Sequence, residues 1–302
     1  MTRTAFVINA KARCAGPAWL DEHRAAVDAV AGGGPVTLVG SGDEIAAAVQ
    51  RALDMGCETV AAGGGDGTLN AVASHLVGST TRLGVLPLGT LNHFAKDLRI
   101  PLDPAQALAT IAAGHYVTVD VGEVNGQYFL NNSSLGLYPE IVHVRERQQQ
   151  RLGRGKWVAF AWAAWNALRR YPFLTVRLVA NGEASLNRTP FVFVGNNAYG
   201  MEGFQIGQRA ALCDGVLSVY VADDTSRWRL LTLGVRALAG RLRQTREFRS
   251  FVAERLGVET PHRHLRVATD GEVRKLATPL RYRIHPRALR VIVPPPAGTG
   301  AP

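Results

Sequence analysis

Cysteine is close to absent. The chain has 302 residues and three cysteines, Cys14, Cys57 and Cys213, an odd number at spacings that suit neither a metal-binding nor a thioredoxin-like pattern. A disulfide framework is thereby excluded, and a reduced compartment is expected. Acidic residues are also scarce, 24 against 34 lysines and arginines, which leaves a formal net charge of +10 and a pI near 10.1. Such a surface attracts anions, whether nucleic acid, anionic lipid headgroups or a nucleoside triphosphate. Charge alone does not choose among them, but much of the arginine falls after residue 140, so one side should be the more basic. Long apolar runs are missing too. The opening run Ala5-Phe6-Val7-Ile8 is too short for the apolar part of a signal peptide, and no cleavage pattern follows it. The longest apolar stretch, Trp157 to Leu168, falls short of the roughly 20 residues that a spanning helix needs. A cytoplasmic protein that does not cross a bilayer is expected.

What is present is an ordinary globular composition, 47% hydrophobic and 19% charged. The length exceeds one typical compact core, so two lobes with a ligand cleft between them are expected. The first 120 residues alternate short β-branched runs with longer helical patterns, the rhythm of βα units around a parallel sheet. Strands are predicted at Phe6 to Ile8, Val36 to Val39, Thr59 to Ala61 and Leu83 to Leu86, and helices at Trp19 to Ala31 and Glu44 to Met55. After Val117 to Val121 the texture changes. Gln127 to Asn132, Leu174 to Ala180, Phe191 to Gly195 and Leu217 to Val221 are strand-like and separated by Gly, Asn and Asp, which predicts a β-rich second lobe interrupted by helical insertions near 153 to 170 and 226 to 246. The expected division is 1–122 for the α/β lobe, completed by 281–296, then 123–280 for the β-rich lobe. The tail at 297–302 should be disordered. No internal repeat is evident.

The strongest local signal is Ala62-Gly63-Gly64-Gly65-Asp66-Gly67-Thr68-Leu69-Asn70, which leaves a strand and opens a helix. Successive glycines let the backbone approach a phosphate chain and turn several N–H groups toward it, while the helix N-terminus adds partial positive charge. The Gly-Lys-Ser/Thr element of a Walker loop is absent, and the glycine spacing is not that of the dinucleotide fingerprint. Asp66 would repel phosphate unless a metal ion lay between them, a conflict that magnesium resolves. The plainer alternative is a structural glycine turn with Asp66 as helix N-cap. A second turn, Leu86-Pro87-Leu88-Gly89-Thr90-Leu91-Asn92-His93-Phe94-Ala95, again links strand to helix. Thr90 and Asn92 there can donate hydrogen bonds to a nucleotide or to the first loop.

Gly-Gly-Asp-Gly-Thr followed about twenty residues later by Leu-Pro-Leu-Gly-Thr-Leu-Asn-His-Phe-Ala resembles the catalytic domain of the diacylglycerol kinase family, in the bacterial lipid kinase branch related to sphingosine kinases and, more distantly, to NAD kinases. Cys213-Asp214-Gly215-Val216-Leu217 resembles the family's second-lobe Asp-Gly-x-Leu element, and Thr269-Asp270-Gly271-Glu272 its late Asp-Gly-Glu motif. The resemblance implies an α/β N-terminal lobe with a parallel sheet, a C-terminal β-sandwich and an active site in the cleft between them. It implies an ATP-dependent kinase that phosphorylates a lipid hydroxyl, diacylglycerol above all. ATP would be bound by Asn9, Gly63, Gly64, Gly65, Asp66, Gly67, Thr68, Asn70, Thr90 and Asn92. Asp270 or Glu272 would be the base; without the other motifs, Asp270-Gly271 reads as a plain hairpin turn. Asp214 would hold a structural magnesium ion with the backbone carbonyls of Ala211 and Val216, and Asp120 would be a further acidic residue of the cleft.

Two departures accompany the resemblance. The first turn reads Asn9-Ala10-Lys11-Ala12-Arg13-Cys14-Ala15-Gly16, where the family has Asn-Pro and a serine or glycine. His93 stands where many members have aspartate, so an acidic metal-binding network must be arranged differently here. A lipid acceptor also requires transient contact with an anionic membrane surface. Trp157, Ala161, Trp165 and Leu168 share one helical face flanked by basic residues, and suit either an interfacial helix or a core helix on the β lobe. The basic run Arg236 to Arg249 suits anionic lipid or a solvated face. Three alternatives remain: an NAD kinase relative, a nucleotide-responsive membrane- or partner-binding protein with altered catalysis, and nucleic-acid binding, which is not expected because no reader motif accompanies the charge. Whether the chain forms a homodimer stays open.

Overall fold

The computed structural model describes residues 3–12, 17–136, 173–202, 205–209, 211–222 and 248–295. The insertions expected near 153 to 170 and 226 to 246, the basic run Arg236 to Arg249 except for its last two residues, and the tail at 297–302 lie outside the described residues. Two compact units emerge, Met1–Val121 with Pro286–Pro302, and Gly122–His285.

The first unit runs β1 (Thr4–Asn9), α1 (Pro17–Ala31), β2 (Val36–Val39), α2 (Gly42–Asp54), β3 (Thr59–Gly64), α3 (Asp66–Leu76), β4 (Arg82–Pro87), α4 (His93–Asp97), α5 (Pro104–Ala113) and most of β5 (Tyr116–Val124). The strands are parallel in the order β2-β1-β3-β4. Every residue of β3 is buried, as befits a central strand covered on both faces. Helix α2 begins with a capping box: the Ser41 hydroxyl accepts from Glu44 N–H at 3.3 Å and donates to Glu44 Oε1 at 3.1 Å. It buries Ile45, Ala48, Val49 and Ala52 at helical spacing. Asp103 caps α5, Pro104 opens it, and Gly114 closes it at φ 69°. Phe6, Ile8, Val27, Ala61, Leu86 and Ile111 form the core on the α1 and α5 side.

The second unit continues with β6 (Gln127–Phe129), β7 (Asn132–Gly136), β8 (Leu174–Ala180), β9 (Glu183–Thr189), β10 (Phe191–Asn196), β11 (Tyr199–Glu202), β12 (Gln205–Arg209), β13 (Leu217–Ala222), β14 (Phe248–Ala253), β15 (Arg255–Glu259), β16 (His264–Thr269), β17 (Glu272–Ala277) and β18 (Leu280–Ile292). One sheet orders β14-β13-β10-β7-β16-β17; the other places β18, β15, β8 and β9 side by side. Alternate residues of both sheets meet in one core that includes Phe129, Leu135, Val194, Val219, Leu256, Val267 and Tyr282, the arrangement of a β-sandwich. The last residues of β18 pair with β4 in the first unit, Arg290 with Arg82 and Val291 with Leu83. The second unit ends at His285 and the first resumes at Pro286, inside the single 13-residue strand β18, with no compositional break to mark the change. No described helix is long and apolar enough to cross a membrane.

One buried ion-pair group ties β5 to β18 within the second unit. Glu123, 7% exposed, accepts from Arg283 Nε and His285 Nε2, both at 2.6 Å, and from Gly126 N–H at 3.0 Å. Burial pushes the Glu123 carboxyl up, but these hydrogen bonds and the Arg283 charge outweigh it and hold the group below its ordinary value. A carboxyl depressed in the folded state stabilises fully above its unfolded pKa and loses that contribution as pH falls through the folded one. Wild-type urea midpoints should therefore drop more steeply than those of Glu123→Gln as pH falls below about 4.3. Parallel curves for the two proteins would refute the assignment. Arg283 is 55% exposed in its side chain, so the effect near neutrality should be only about 1 kcal/mol.

Candidate functional site

The carboxyl ends of parallel strands carry the loops that bind ligands in such sheets, and in the first unit the predicted residues gather there. Gly64 closes β3, Gly65 is the N-cap of α3, and no side chain caps that helix, unlike α2 and α5. The N–H groups of its first turn are thus left to a ligand or to water. A Cβ at Gly64 would stand 2.6 Å from Thr68 Cβ, and one at Gly89 would overlap Gly65 Cα. The two turns pack glycine on glycine, with no room for a side chain at Gly89.

Asp66 departs from the plainer sequence alternative, in which it caps its own helix. Its carboxylate accepts from the backbone N–H groups of His93 and Phe94, each at 3.2 Å. It therefore caps α4 from the first turn of α3 and neither caps its own helix nor stands bare. Both bonds are long, and a carboxylate has about four acceptor positions, so Asp66 keeps the capacity to meet a cation. Asn92 is spent within its own turn: it sits buried at φ 50°, accepts from Gly89 N–H at 3.1 Å and donates to Gly89 O at 2.9 Å. Its side-chain amide thus holds the turn. Thr90 is exposed at the tip, and His93 is exposed at the start of α4. Asn9 Nδ2 donates to Thr68 Oγ1 at 2.9 Å, and Asn9 Oδ1 accepts from Lys11 N–H at 2.9 Å, so the first turn is organised around the glycine loop without the family's proline. Asn70 lies half-buried one turn into α3. Gly63 is buried against Ile8, and Gly67 is half-buried in the first turn of α3.

Asp120, predicted as a cleft acid, is 1% exposed and accepts from Arg287 N–H at 2.7 Å. Arg287 has φ 49°, a left-handed conformation that arginine rarely adopts. The carboxylate thus holds the backbone where β18 passes through that left-handed residue. Nothing in the local sequence marks Arg287 for that conformation.

In the second unit Asp270 and Gly271, at φ 48° and 87°, join β16 to β17 in the two-residue geometry of a type I′ hairpin. The plain hairpin reading is correct, and the side chain does more. Asp270 accepts from Leu130 N–H at 2.7 Å, Asn131 N–H at 2.8 Å and Asn132 N–H at 3.0 Å. This explains why the run Gln127 to Asn132, predicted as one strand, breaks into β6 and β7: three consecutive amides turn onto one carboxylate in place of ladder partners. Glu272 is exposed and pairs with Arg274 at 3.0 Å, so the two motif acids differ sharply in how firmly they are placed.

Asp214 is exposed. Its N–H donates to Asn197 Oδ1 at 3.1 Å, and Asn197 N–H donates to Val216 O at 3.0 Å, so buried Asn197 fastens Asp214 and Val216 in the loop that also carries Ala211. One carboxylate with carbonyl oxygens is a donor set of the hard kind that magnesium takes. Among the described residues no three His, Cys, Asp or Glu side chains gather as a metal cluster.

Residues 5–124 match the family model described as "Diacylglycerol kinase catalytic domain", and residues 141–293 match "YegS C-terminal NAD kinase beta sandwich-like domain". A Serratia proteamaculans protein named "Probable lipid kinase YegS-like" is 44% identical over 99 residues, 31% of this chain and 32% of that one. A diacylglycerol kinase of Staphylococcus carnosus is 39% identical over 96 residues, 31% of each chain. The alignments thus span about a third of the length of these curated relatives. The crystal structure of a diacylglycerol kinase from Bacillus anthracis is similar over 97% of each chain, with TM-score 0.68 and 19% identity. A second crystal structure from that organism has TM-score 0.76 and 21% identity, over 97% of this chain and 98% of that one. At these identities the solved structures establish the fold.

Proposed function

Because the chain belongs to the diacylglycerol kinase family, in the branch whose C-terminal domain is the YegS-type β-sandwich, we propose that it transfers the γ-phosphoryl group of ATP to a lipid hydroxyl, with diacylglycerol as the acceptor and phosphatidic acid as the product. The observation that carries the reading is the glycine-packed opening of α3. Gly64, Gly65 and Gly89 leave no side chain over the first turn, and no residue caps it. Backbone amides there can grip a triphosphate without steric opposition.

ATP with magnesium supplies the phosphoryl group and screens its charge. Asp66 is the carboxylate suited to meet the cation, since its bonds to the α4 amides are long enough to yield. Asn9 holds Thr68 in place behind the loop. Asp270 takes the proton of the acceptor hydroxyl as the oxygen–phosphorus bond forms and the bond to the leaving diphosphate breaks. Three backbone donors fix its orientation, which suits it to this task better than exposed Glu272. Asp214, with Ala211 and Val216 carbonyls, would hold a second magnesium ion that steadies the loop.

The test is radiolabelled ATP with a panel of diacylglycerol, monoacylglycerol, sphingosine, ceramide and phosphatidylglycerol. Label should appear foremost as phosphatidic acid. Intact ATP binding with no labelled lipid, or conversion of NAD to NADP instead, would overturn the proposal.

A further inference from the structure

One face of the four strands β9, β8, β15 and β18 in the second unit packs on the sandwich core, and the other is exposed. Burial alternates along each strand and identifies the outer set: Leu186 and Arg188, Arg177 and Val179, Arg255, Gly257 and Glu259, and Arg281, Arg283 and His285. Five arginines on this face meet two carboxylates, Glu259 and the Glu123 that reaches it from β5. Glu259 pairs with Arg177 at 3.0 Å and Glu123 with Arg283. Arg255 and Arg281 have no ion-pair partner among the described residues. Arg255 moreover lies directly opposite Arg283 in the antiparallel ladder, a like-charge pairing that opposes folding.

Three of the arginines border an open groove of about 640 Å³ lined by Glu123, Asn125, Arg255, Gly257, Arg281 and Arg283. Gly257 contributes no side chain to this lining. At the usual strand spacing the four strands span roughly 15 Å, wider than a single phosphate group needs. Leu186 stands 75% exposed among the charges, and the Arg188 guanidinium lies 5.3 Å from the Phe173 ring.

We propose that this arginine face docks the protein on a bilayer rich in anionic phospholipid, with headgroup phosphates seated between Arg255 and Arg281. Charge complementarity selects an anionic surface, the breadth of the face suits an array of headgroups, and exposed Leu186 offers an aliphatic contact that a lipid interface accepts and a nucleic-acid backbone does not. The purpose of docking rests on the lipid-kinase reading, since a lipid acceptor must be met at its membrane. The docking itself needs no turnover.

Sedimentation with vesicles of phosphatidylcholine alone or mixed with phosphatidylglycerol, in the absence of ATP, tests it on the full chain. Wild type should bind the mixed vesicles and lose them as salt rises. Each basic residue at such a surface contributes about fivefold, so Arg255→Gln with Arg281→Gln should weaken binding roughly 25-fold. Arg255→Lys with Arg281→Lys should retain it. The lysine variant should keep wild-type thermal unfolding, the glutamine variant should unfold no earlier than wild type because the Arg255–Arg283 repulsion is relieved, and both should keep wild-type ATP affinity. Equal vesicle binding by wild type and the glutamine variant overturns the proposal. So does binding to a single-stranded RNA homopolymer, but not to vesicles, that the glutamine variant loses. Vesicle binding without lipid phosphorylation would leave this surface standing and refute only the catalytic reading.

Discussion

Asparagine at position 270 is expected to lower kcat for lipid phosphorylation by about a thousandfold, the scale of a positioned general base, with KM for ATP within about threefold of wild type. The separation of effects follows from the fold: Asp270 belongs to the second unit and the glycine turns to the first. Asparagine tolerates the left-handed backbone at φ 48°. Its Oδ1 can still take two of the three amides that face it, but its NH2 then confronts the third donor. Leaving that amide unsatisfied should cost about 1–3 kcal/mol of stability, so a thermal melt must accompany the assay. Glu272→Gln, by contrast, should change kcat less than about threefold, since an exposed pair with Arg274 is worth little. Should Glu272→Gln abolish transfer while Asp270→Asn retains a tenth of it or more, the base is Glu272.

The second large effect belongs to Gly89. Its backbone needs no left-handed conformation, so alanine is excluded by packing alone. The added Cβ would overlap Gly65 Cα and stand 2.7 Å from Asn92 Oδ1 and 3.1 Å from Gly65 N. Two of these three atoms are backbone, and the third belongs to a side chain held in its own turn. Gly89→Ala must therefore drive the turns apart, at about 1–3 kcal/mol, and lengthen the already long bonds from Asp66 to α4. Calorimetry with MgATP should register at least about a tenfold loss of affinity, taking 1.4 kcal/mol of misplacement as tenfold. Gly65→Ala provides the control. Its Cβ would meet only Gly89 Cα at 3.4 Å, an ordinary contact, so stability should hold while affinity falls from obstruction of the phosphates themselves. Undiminished MgATP binding in both variants would remove the glycine turns from the nucleotide site.

The positions of these groups were legible in the sequence to very different degrees. Hydrophobic period and glycine punctuation placed β2 and β8 to the residue and the two turns at their strand ends, because strand alternation, capping and tight turns are governed by neighbours a few residues apart. The Asp270-Gly271 hairpin is of the same local kind. The family's motifs, being contiguous, were equally visible.

What the sequence could not disclose is which partner each carboxylate takes. Asp66 turns to amides 27 and 28 residues away, Asp270 to amides about 140 away, and Asp120 to an amide 167 away. Composition and spacing determined by themselves that the chain builds a parallel α/β unit with a glycine-rich turn between strand and helix and a β-rich unit after it. Only the tertiary structure decided that Asp120 holds the left-handed Arg287, that Asn92 is consumed by its own turn, that Gly65 and Gly89 touch, and that five arginines from four strands share one face. The physical reason is that a carboxylate or guanidinium accepts any partner of suitable charge and geometry. Which one it meets depends on strand register and sheet order, which are fixed by the packing of the whole core rather than by its neighbours in the chain.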